Sequence, residues 1–457
     1  MKTLLTRRTF LRHTATATAA VAMPTLIPAS ALGLEVVAPN SRIGLAIIGA
    51  GPQGRGVLGG FLGQPDCQVV AICDVREQAR EECRKQVNSH YKNEHCAVHA
   101  DFRHVLARPD VDAVLIATPD HWHVPIAVAA ARAGKDMYLE KPMGLSFAED
   151  QLLRAVVRKH KVIFQFGTQQ RSSREFQRAV ELVRNGRIGK LRAINVWAPA
   201  SRPGGSTAPV AAPPGLDYDL WLGPAPSTPY TDGKAFDNGP AWKTWWFNYD
   251  YALGFIAGWG VHPLDIALWG HPAMMAGPME IAGEGIIPTS GAGNTSLAWD
   301  VNFTFADGVK MRYRGTPNEY DLKTPLTDFA EWRARYGKID GHGTAFEGTD
   351  GWVEVHRGGL SAFPESLAQE KLAEGGWRSP RSSHHQRNLL EAIRSRQPAI
   401  CGIEESVQAD LLCHLSDIAT RVPRKLRFDP VKEKFAGDAE ANRRLALRPM
   451  RAPWQIG

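Results

Sequence analysis

The stretch Ile43-Gly44-Leu45-Ala46-Ile47-Ile48-Gly49-Ala50-Gly51-Pro52-Gln53-Gly54, answered by Ala71-Ile72-Cys73-Asp74, decides how the chain folds. The aliphatic run reads as a buried strand, and the glycines after it open a helix over 53–62. Each glycine has a mechanical task. Gly49 permits a tight turn, Gly51 lets backbone N–H groups approach a pyrophosphate at the helix N-terminus, and Gly54 lets helix pack closely on strand. Asp74 ends the next strand, where a carboxylate accepts hydrogen bonds from the adenosine ribose. Strand, glycine loop, helix and acid in this order predict a dinucleotide site holding Gly49, Gly51, Gln53, Gly54 and Asp74. An acid there repels a 2′-phosphate, so NAD is favoured over NADP, with Arg76 two residues on able to moderate the repulsion.

Outward from this unit, short apolar runs alternate with amphipathic stretches up to Phe166, the pattern of repeated βαβ units around a parallel sheet. Strands are expected at 43–48, 68–73, 113–117, 136–139 and 162–166. Helices are expected at 53–62, 77–87, 123–133 and 148–159. The expected Rossmann domain therefore spans 40–166. Beyond Gly167 the rhythm changes to a helix at 174–185, a strand at 191–198 and a long Pro-, Gly- and aromatic-rich stretch. Strands at 279–287, 296–305 and 309–314 follow, with helices at 383–394 and 404–421. Residues 167–457 thus read as an α+β domain with a largely antiparallel open sheet, its final helices able to return to the first domain.

A chain of 457 residues exceeds the roughly 250 to 300 at which single cores stop growing, so two domains are expected. Its 44% hydrophobic and 22% charged content is that of a globular protein. Thr6-Arg7-Arg8-Thr9-Phe10-Leu11-Arg12, a weakly apolar run and Ala29-Ser30-Ala31 have the layout of a twin-arginine export signal cleaved after residue 31. A periplasmic or secreted location is expected, with no membrane anchor after cleavage. Removing Lys2, Arg7, Arg8 and Arg12 lowers the formal charge from +7 by four to +3. With no basic block or nucleic-acid motif, nucleic acid is not an expected partner. The six cysteines form no C-x-x-C pair and no zinc spacing, so they are expected as small buried hydrophobes and no metal is expected.

Thr118-Pro119-Asp120-His121-Trp122-His123 follows the 113–117 strand, and Glu140-Lys141-Pro142 follows the 136–139 strand. Both lie at the carboxyl ends of parallel strands, where open α/β sheets bind ligands. Thr118, Pro119 and His123 read either as lining the cofactor channel or as a helix-opening turn. Alone, Lys141 is simply a lysine at a strand end.

Taken with the glycine loop, these motifs resemble the glucose-fructose oxidoreductase and inositol dehydrogenase family (Gfo/Idh/MocA), in its secreted bacterial branch. The resemblance extends through Gly167-Thr168-Gln169-Gln170-Arg171-Ser172, through Gly215-Leu216-Asp217-Tyr218-Asp219-Leu220-Trp221-Leu222-Gly223-Pro224, and through Gly260-Val261-His262-Pro263-Leu264-Asp265. It implies that Glu140 and Lys141 border the cofactor and that Lys141 reaches the reacting hydroxyl, where an ammonium stabilises an alkoxide or relays its proton. It also implies that His262 assists. The aspartate that family members carry four residues before this histidine is replaced by Gly258. His262 reads alternatively as a helix-start residue before Pro263. Gln169, Arg171 and Asp265 match substrate-contacting positions, with a surface ion pair open for Arg171 and a helix cap for Asp265. Trp221, Trp242, Trp245, Trp246 and Tyr249 supply flat faces suited to sugars or to loop packing.

The activity implied is NAD-dependent oxidation of a carbohydrate or polyol hydroxyl, with a tightly bound and internally recycled cofactor. A second reading is redox-neutral glycosidase or lyase chemistry through a transient 3-keto sugar. A third is a non-catalytic sugar-binding protein. A homo-oligomer is expected because an open sheet face needs cover.

Overall fold

A computed structural model of the protein describes residues 41–236, 245–316, 326, 328–337, 339 and 341–456. The expected export signal and Trp242 lie outside these residues. The strands of the first domain are β1 (Ile43–Ile48), β2 (Cys67–Cys73), β3 (Ala97–His99), β4 (Ala113–Ile116), β5 (Asp136–Leu139) and β6 (Phe164–Phe166). They form one sheet in the order β3-β2-β1-β4-β5-β6, with every neighbouring pair parallel.

The continuous apolar character of these strands follows from burial on both faces. Leu45, Ile47, Ala113 and Leu115 point into one core, while Ala46, Ile48, Val114 and Ile116 point into the other. Helix Pro52–Leu62 buries Gly54, Val57, Leu58, Phe61 and Leu62, a stripe at helical spacing on the first of these cores. Strand β3 was not anticipated. It is a three-residue, half-buried edge strand with too few side chains to show a period.

The second domain carries β7 (Leu191–Pro199), β8 (Met279–Ile286), β9 (Ala298–Thr304), β10 (Lys310–Thr316), β11 (Gly343–Gly348), β12 (Trp352–His356), β13 (Gly359–Phe363), β14 (Leu426–Asp429) and β15 (Lys434–Phe435). They form a sheet in the order β13-β12-β11-β7-β10-β9-β8-β14-β15. Only the β7–β10 pairing is parallel. Strands β11 to β15 were missed in the sequence, being short and interrupted by glycine and charged residues. The fold class is therefore a parallel Rossmann sheet followed by an α+β domain with a mostly antiparallel sheet.

Helix Ile403–Arg421 is buried almost all round, because it lies between β8 and helix Phe147–His160 of the first domain. Helix His385–Ser395 also reaches the first domain, where Leu389 and Leu390 join the core of Leu58 and Phe61. Arg387 and Arg394 both bind Asp66 there. Near the chain end, Trp454 meets Trp122 edge-on with ring centroids 4.7 Å apart. All six cysteines are buried and unpaired. No helix among the described residues is long and apolar enough to cross a membrane.

Candidate active site

Strand β1 delivers the chain to Gly49, whose φ of +97° an L side chain rarely adopts. A Cβ here would lie 2.4 Å from the Ala117 carbonyl, and one at Gly54 would lie 2.1 Å from the Gly49 oxygen. The loop is thus backbone packed on backbone. Helix Pro52–Leu62 begins with no side-chain cap and with proline in its first turn, leaving its other terminal N–H groups available to an anion. Asp74 braces the loop: Oδ2 accepts the Ala50 N–H at 2.8 Å and Oδ1 accepts the Arg76 N–H at 2.8 Å.

These groups open onto one cleft. Gly49, Gly51, Gln53, Asp74, Thr118, Pro119, His123, Glu140 and Lys141 all line it, which brings together the expected cofactor residues except Gly54. Gly54 lies behind, in the helix–strand contact. Trp122, Trp221, Trp245 and Trp246 form aromatic walls. Three of the four come from the long loop region, whereas Tyr249 is turned away under Arg421 and Arg448.

The turn after β4 is held from inside. His123 Nδ1 lies 2.6 Å from the Pro142 carbonyl and Nε2 lies 2.8 Å from the Thr118 carbonyl, tying the two loops together. Its pKa is pushed down to about 4 by burial. Asp120, not singled out in the sequence, lines the cleft, and burial raises its carboxyl well above the usual range.

Lys141 lines the same cleft and donates from Nζ to the Gly258 carbonyl at 3.0 Å. Its Nζ also stands 5.8 Å from the Trp259 ring centroid. The ammonium therefore sits where the two domains meet, and position 258 meets it with a backbone oxygen in place of a carboxylate. Glu140 is buried, accepts from Gln169 Nε2 at 3.4 Å, and has its pKa raised by burial. Gln169 also donates to Tyr138 Oη at 3.1 Å.

His262 belongs to helix Val261–Gly270 and is buried. Its Nε2 faces Arg357 Nη2 at 3.4 Å, and its Nδ1 has no hydrogen-bond partner. Burial, then Lys141 and Arg357, hold its pKa well below the ordinary histidine value, so the ring is neutral. Arg171 and Asp265, expected at the substrate, do not line the cleft. They are 3% and 0% exposed and are spent on each other, with Arg171 Nε 2.8 Å and Nη2 2.6 Å from the carboxylate oxygens. They form a buried, charge-assisted pair across the domain junction.

Arg357 was missed because it lies in a β12–β13 hairpin turn, where an isolated arginine reads as surface. His342 was missed for a similar reason. Its ring stacks obliquely near His262 at 5.7 Å, and its Nε2 meets the Gln170 side chain. A further buried group, His414 between Asp150 at 3.1 Å and Asp410 at 3.3 Å, lies on helices Phe147–His160 and Ile403–Arg421. Its D-x-x-x-H spacing was the available sequence signal.

Comparison with known proteins agrees with this fold. Residues 43–168 match the oxidoreductase family with an NAD-binding Rossmann fold, and residues 201–327 and 337–456 match the C-terminal alpha/beta domain of the same family. The myo-inositol 2-dehydrogenase of Thermotoga maritima is 32% identical over 155 residues, covering 34% of this chain and 41% of that protein. A glycosyl hydrolase family 109 protein of Saccharopolyspora erythraea is 33% identical over 158 residues, covering 31% of this chain and 34% of that protein. The chain thus spans less than half the length of these curated relatives.

Among solved structures, GenD2 from gentamicin A biosynthesis, in complex with NAD, superposes with a TM-score of 0.59 at 18% identity, covering 88% of this chain and 99% of that one. Levoglucosan dehydrogenase, in complex with NADH and levoglucosan, gives 0.60 at 14% identity, covering 85% and 99%. With both halves matched along most of its length, the chain belongs to the Gfo/Idh/MocA oxidoreductase family.

Proposed function

We propose that the protein is an NAD(H)-dependent oxidoreductase acting on a CH–OH group of a carbohydrate or polyol. The observation that carries this reading is Lys141, which lines the nucleotide cleft and bonds Gly258 beside His262. The backbone cradle at Gly49 to Gln53 and the carboxylate of Asp74 fit a dinucleotide, with Asp74 favouring NAD over NADP. When bound, the nicotinamide supplies the hydride acceptor and donor. Lys141 holds the substrate hydroxyl and stabilises negative charge developing on its oxygen. His262, kept neutral by burial, takes up or returns the proton. Trp259 covers the ammonium and limits water around it. The inositol and levoglucosan dehydrogenases among the similar proteins support a sugar or polyol substrate.

The export segment at 1–31 belongs to this proposal, as does assembly into a homo-oligomer through the large sheet. Export of a folded holoprotein would leave the bound nucleotide to be recycled within one site. Lysine substitution of Arg7 and Arg8 in a reporter fusion tests the signal, with cytoplasmic retention expected. A mass of one chain in light scattering would remove the oligomer.

Similarity to family 109 glycosyl hydrolases favours a second reading, redox-neutral glycoside cleavage through a transient ketone. Aglycone release without added acceptor supports that version, and steady NADH production supports the first. A non-catalytic sugar-binding role requires that Lys141→Ala leave every sugar reaction unchanged. Mass spectrometry of nucleotide released on denaturation, with uptake of added NAD, tests all the enzymatic readings. A protein that neither contains nor binds a nicotinamide nucleotide refutes them.

A further inference from the structure

Beside the nucleotide cleft lies a second, open depression, lined by Gln53, Gln169, Ser172, Arg357, His384 and His385 among others. Gln53 belongs to both, so the two spaces adjoin. Its lining is rich in hydroxyl, amide and imidazole groups, suited to a polyhydroxylated ligand. Among the described residues no carboxylate lines it. Its one permanent charge among the described residues is Arg357, whose Cζ stands 5.4 Å from the same Trp259 ring that Lys141 approaches at 5.8 Å.

Two cations therefore flank one indole. Among the described residues neither forms an ion pair. Glu140 is the nearby carboxyl, but it is buried and engaged by Gln169 and the Lys141 N–H. Asp120, also near Lys141, is buried and biased towards its neutral form. Gly258 brings no side chain. A guanidinium left open to a polar cleft is a strong receptor for a carboxylate, which it grips through two parallel N–H donors.

We infer that the substrate is a sugar acid, its carboxylate bound by Arg357 while the reacting hydroxyl lies at Lys141. The inference rests on the carbohydrate oxidoreductase reading above and narrows it from sugars in general to anionic ones. Arg357 acts here as the specificity determinant.

The test compares matched pairs, glucuronate with glucose and galacturonate with galactose, on NAD-loaded protein. Both binding, by calorimetric titration, and turnover are measured. The wild type is expected to favour the acid of each pair by about tenfold, the scale of a charge-assisted hydrogen bond at a solvent-facing guanidinium, and to lose that preference as salt is raised. Arg357→Met is expected to collapse the acid-to-neutral ratio by a similar factor, and Arg357→Lys to restore part of it. A wild type that binds or converts the neutral sugars as well as the acids overturns the inference. So does an Arg357→Met protein with an unchanged ratio, or NAD-loaded protein that binds none of the acids. Should the protein bind neither NAD nor any sugar, the broader enzymatic reading fails instead, so the two failures are distinct.

Discussion

Arg171, in the turn after β6, grips Asp265, in the helix that carries His262, through a forked guanidinium–carboxylate contact with both partners buried. Breaking one half of such a pair leaves the other charge stranded, at a cost of about 3 to 5 kcal/mol. Arg171→Met or Asp265→Asn should each lower the melting temperature sharply. The double change to Met and Leu should recover much of that loss. If the double variant is as unstable as either single one, the pair is not what holds these residues in place.

The glycine loop offers a cleaner contrast. Gly49→Ala forces a side chain into a left-handed backbone and against the Ala117 carbonyl, so destabilisation of about 1 to 3 kcal/mol is expected. NAD affinity should fall at least tenfold. Gly56→Ala, with nothing within 4 Å of its new methyl, should be neutral or stabilising by up to about 1 kcal/mol. Calorimetric NAD titration and thermal melts of both proteins check the comparison.

Asp74 uses one oxygen on the glycine loop and the other on its own turn, so its removal loosens the cradle and also deletes the charge facing a 2′-phosphate. Asp74→Ser should weaken NAD binding by about tenfold to a hundredfold. The same change should narrow the preference for NAD over NADP. An unchanged NAD-to-NADP ratio would show that Asp74 does not read the ribose.

Buried histidines make the fold sensitive to pH in two opposite directions. Burial lowers His121 and His385 to about 4 and His342 to about 3, as it does His123. Below pH 6.5 the unfolded chain takes up protons that the native rings refuse, so each such histidine removes up to about 1.4 kcal/mol per pH unit as pH falls towards 4. His414 behaves oppositely, its pKa raised to about 10 by Asp150 and Asp410 against the desolvation of burial. Its stabilisation is complete below 6.5 and declines as pH rises towards 10. Melting curves from pH 4 to 10 should therefore fall at both ends, and His414→Gln should flatten the alkaline side while lowering stability at neutrality.

Much of the nucleotide half was legible because its chemistry is local. A strand, three glycines and an acid lie within a few dozen residues of one another, and the parallel sheet brings Thr118, His123 and Lys141 to the same edge. The second half resisted for the converse reason. Its sheet joins strands from distant parts of the chain, β7 pairing with both β10 and β11. Short hairpins such as β12–β13 carry little periodicity, and so Arg357 went unremarked. Arg171 and Asp265 were noticed through the motifs that resemble the family's. Their mutual distance, which decides what they do, is a property of tertiary packing that spacing along the chain does not encode.

The return of the C-terminal residues to the nucleotide half also bears on how this protein can be taken apart. Trp454 lies on Trp122, and Arg132 Nη2 donates to the Ile456 carbonyl at 3.1 Å. The first domain is thus finished by residues more than 300 positions further along the chain, and its floor is sealed only once they have docked. A gene fragment stopping after β6 would lack the helix and the indole that close two of its surfaces, which makes excision or shuffling of the nucleotide half as an independent cassette a route to aggregation.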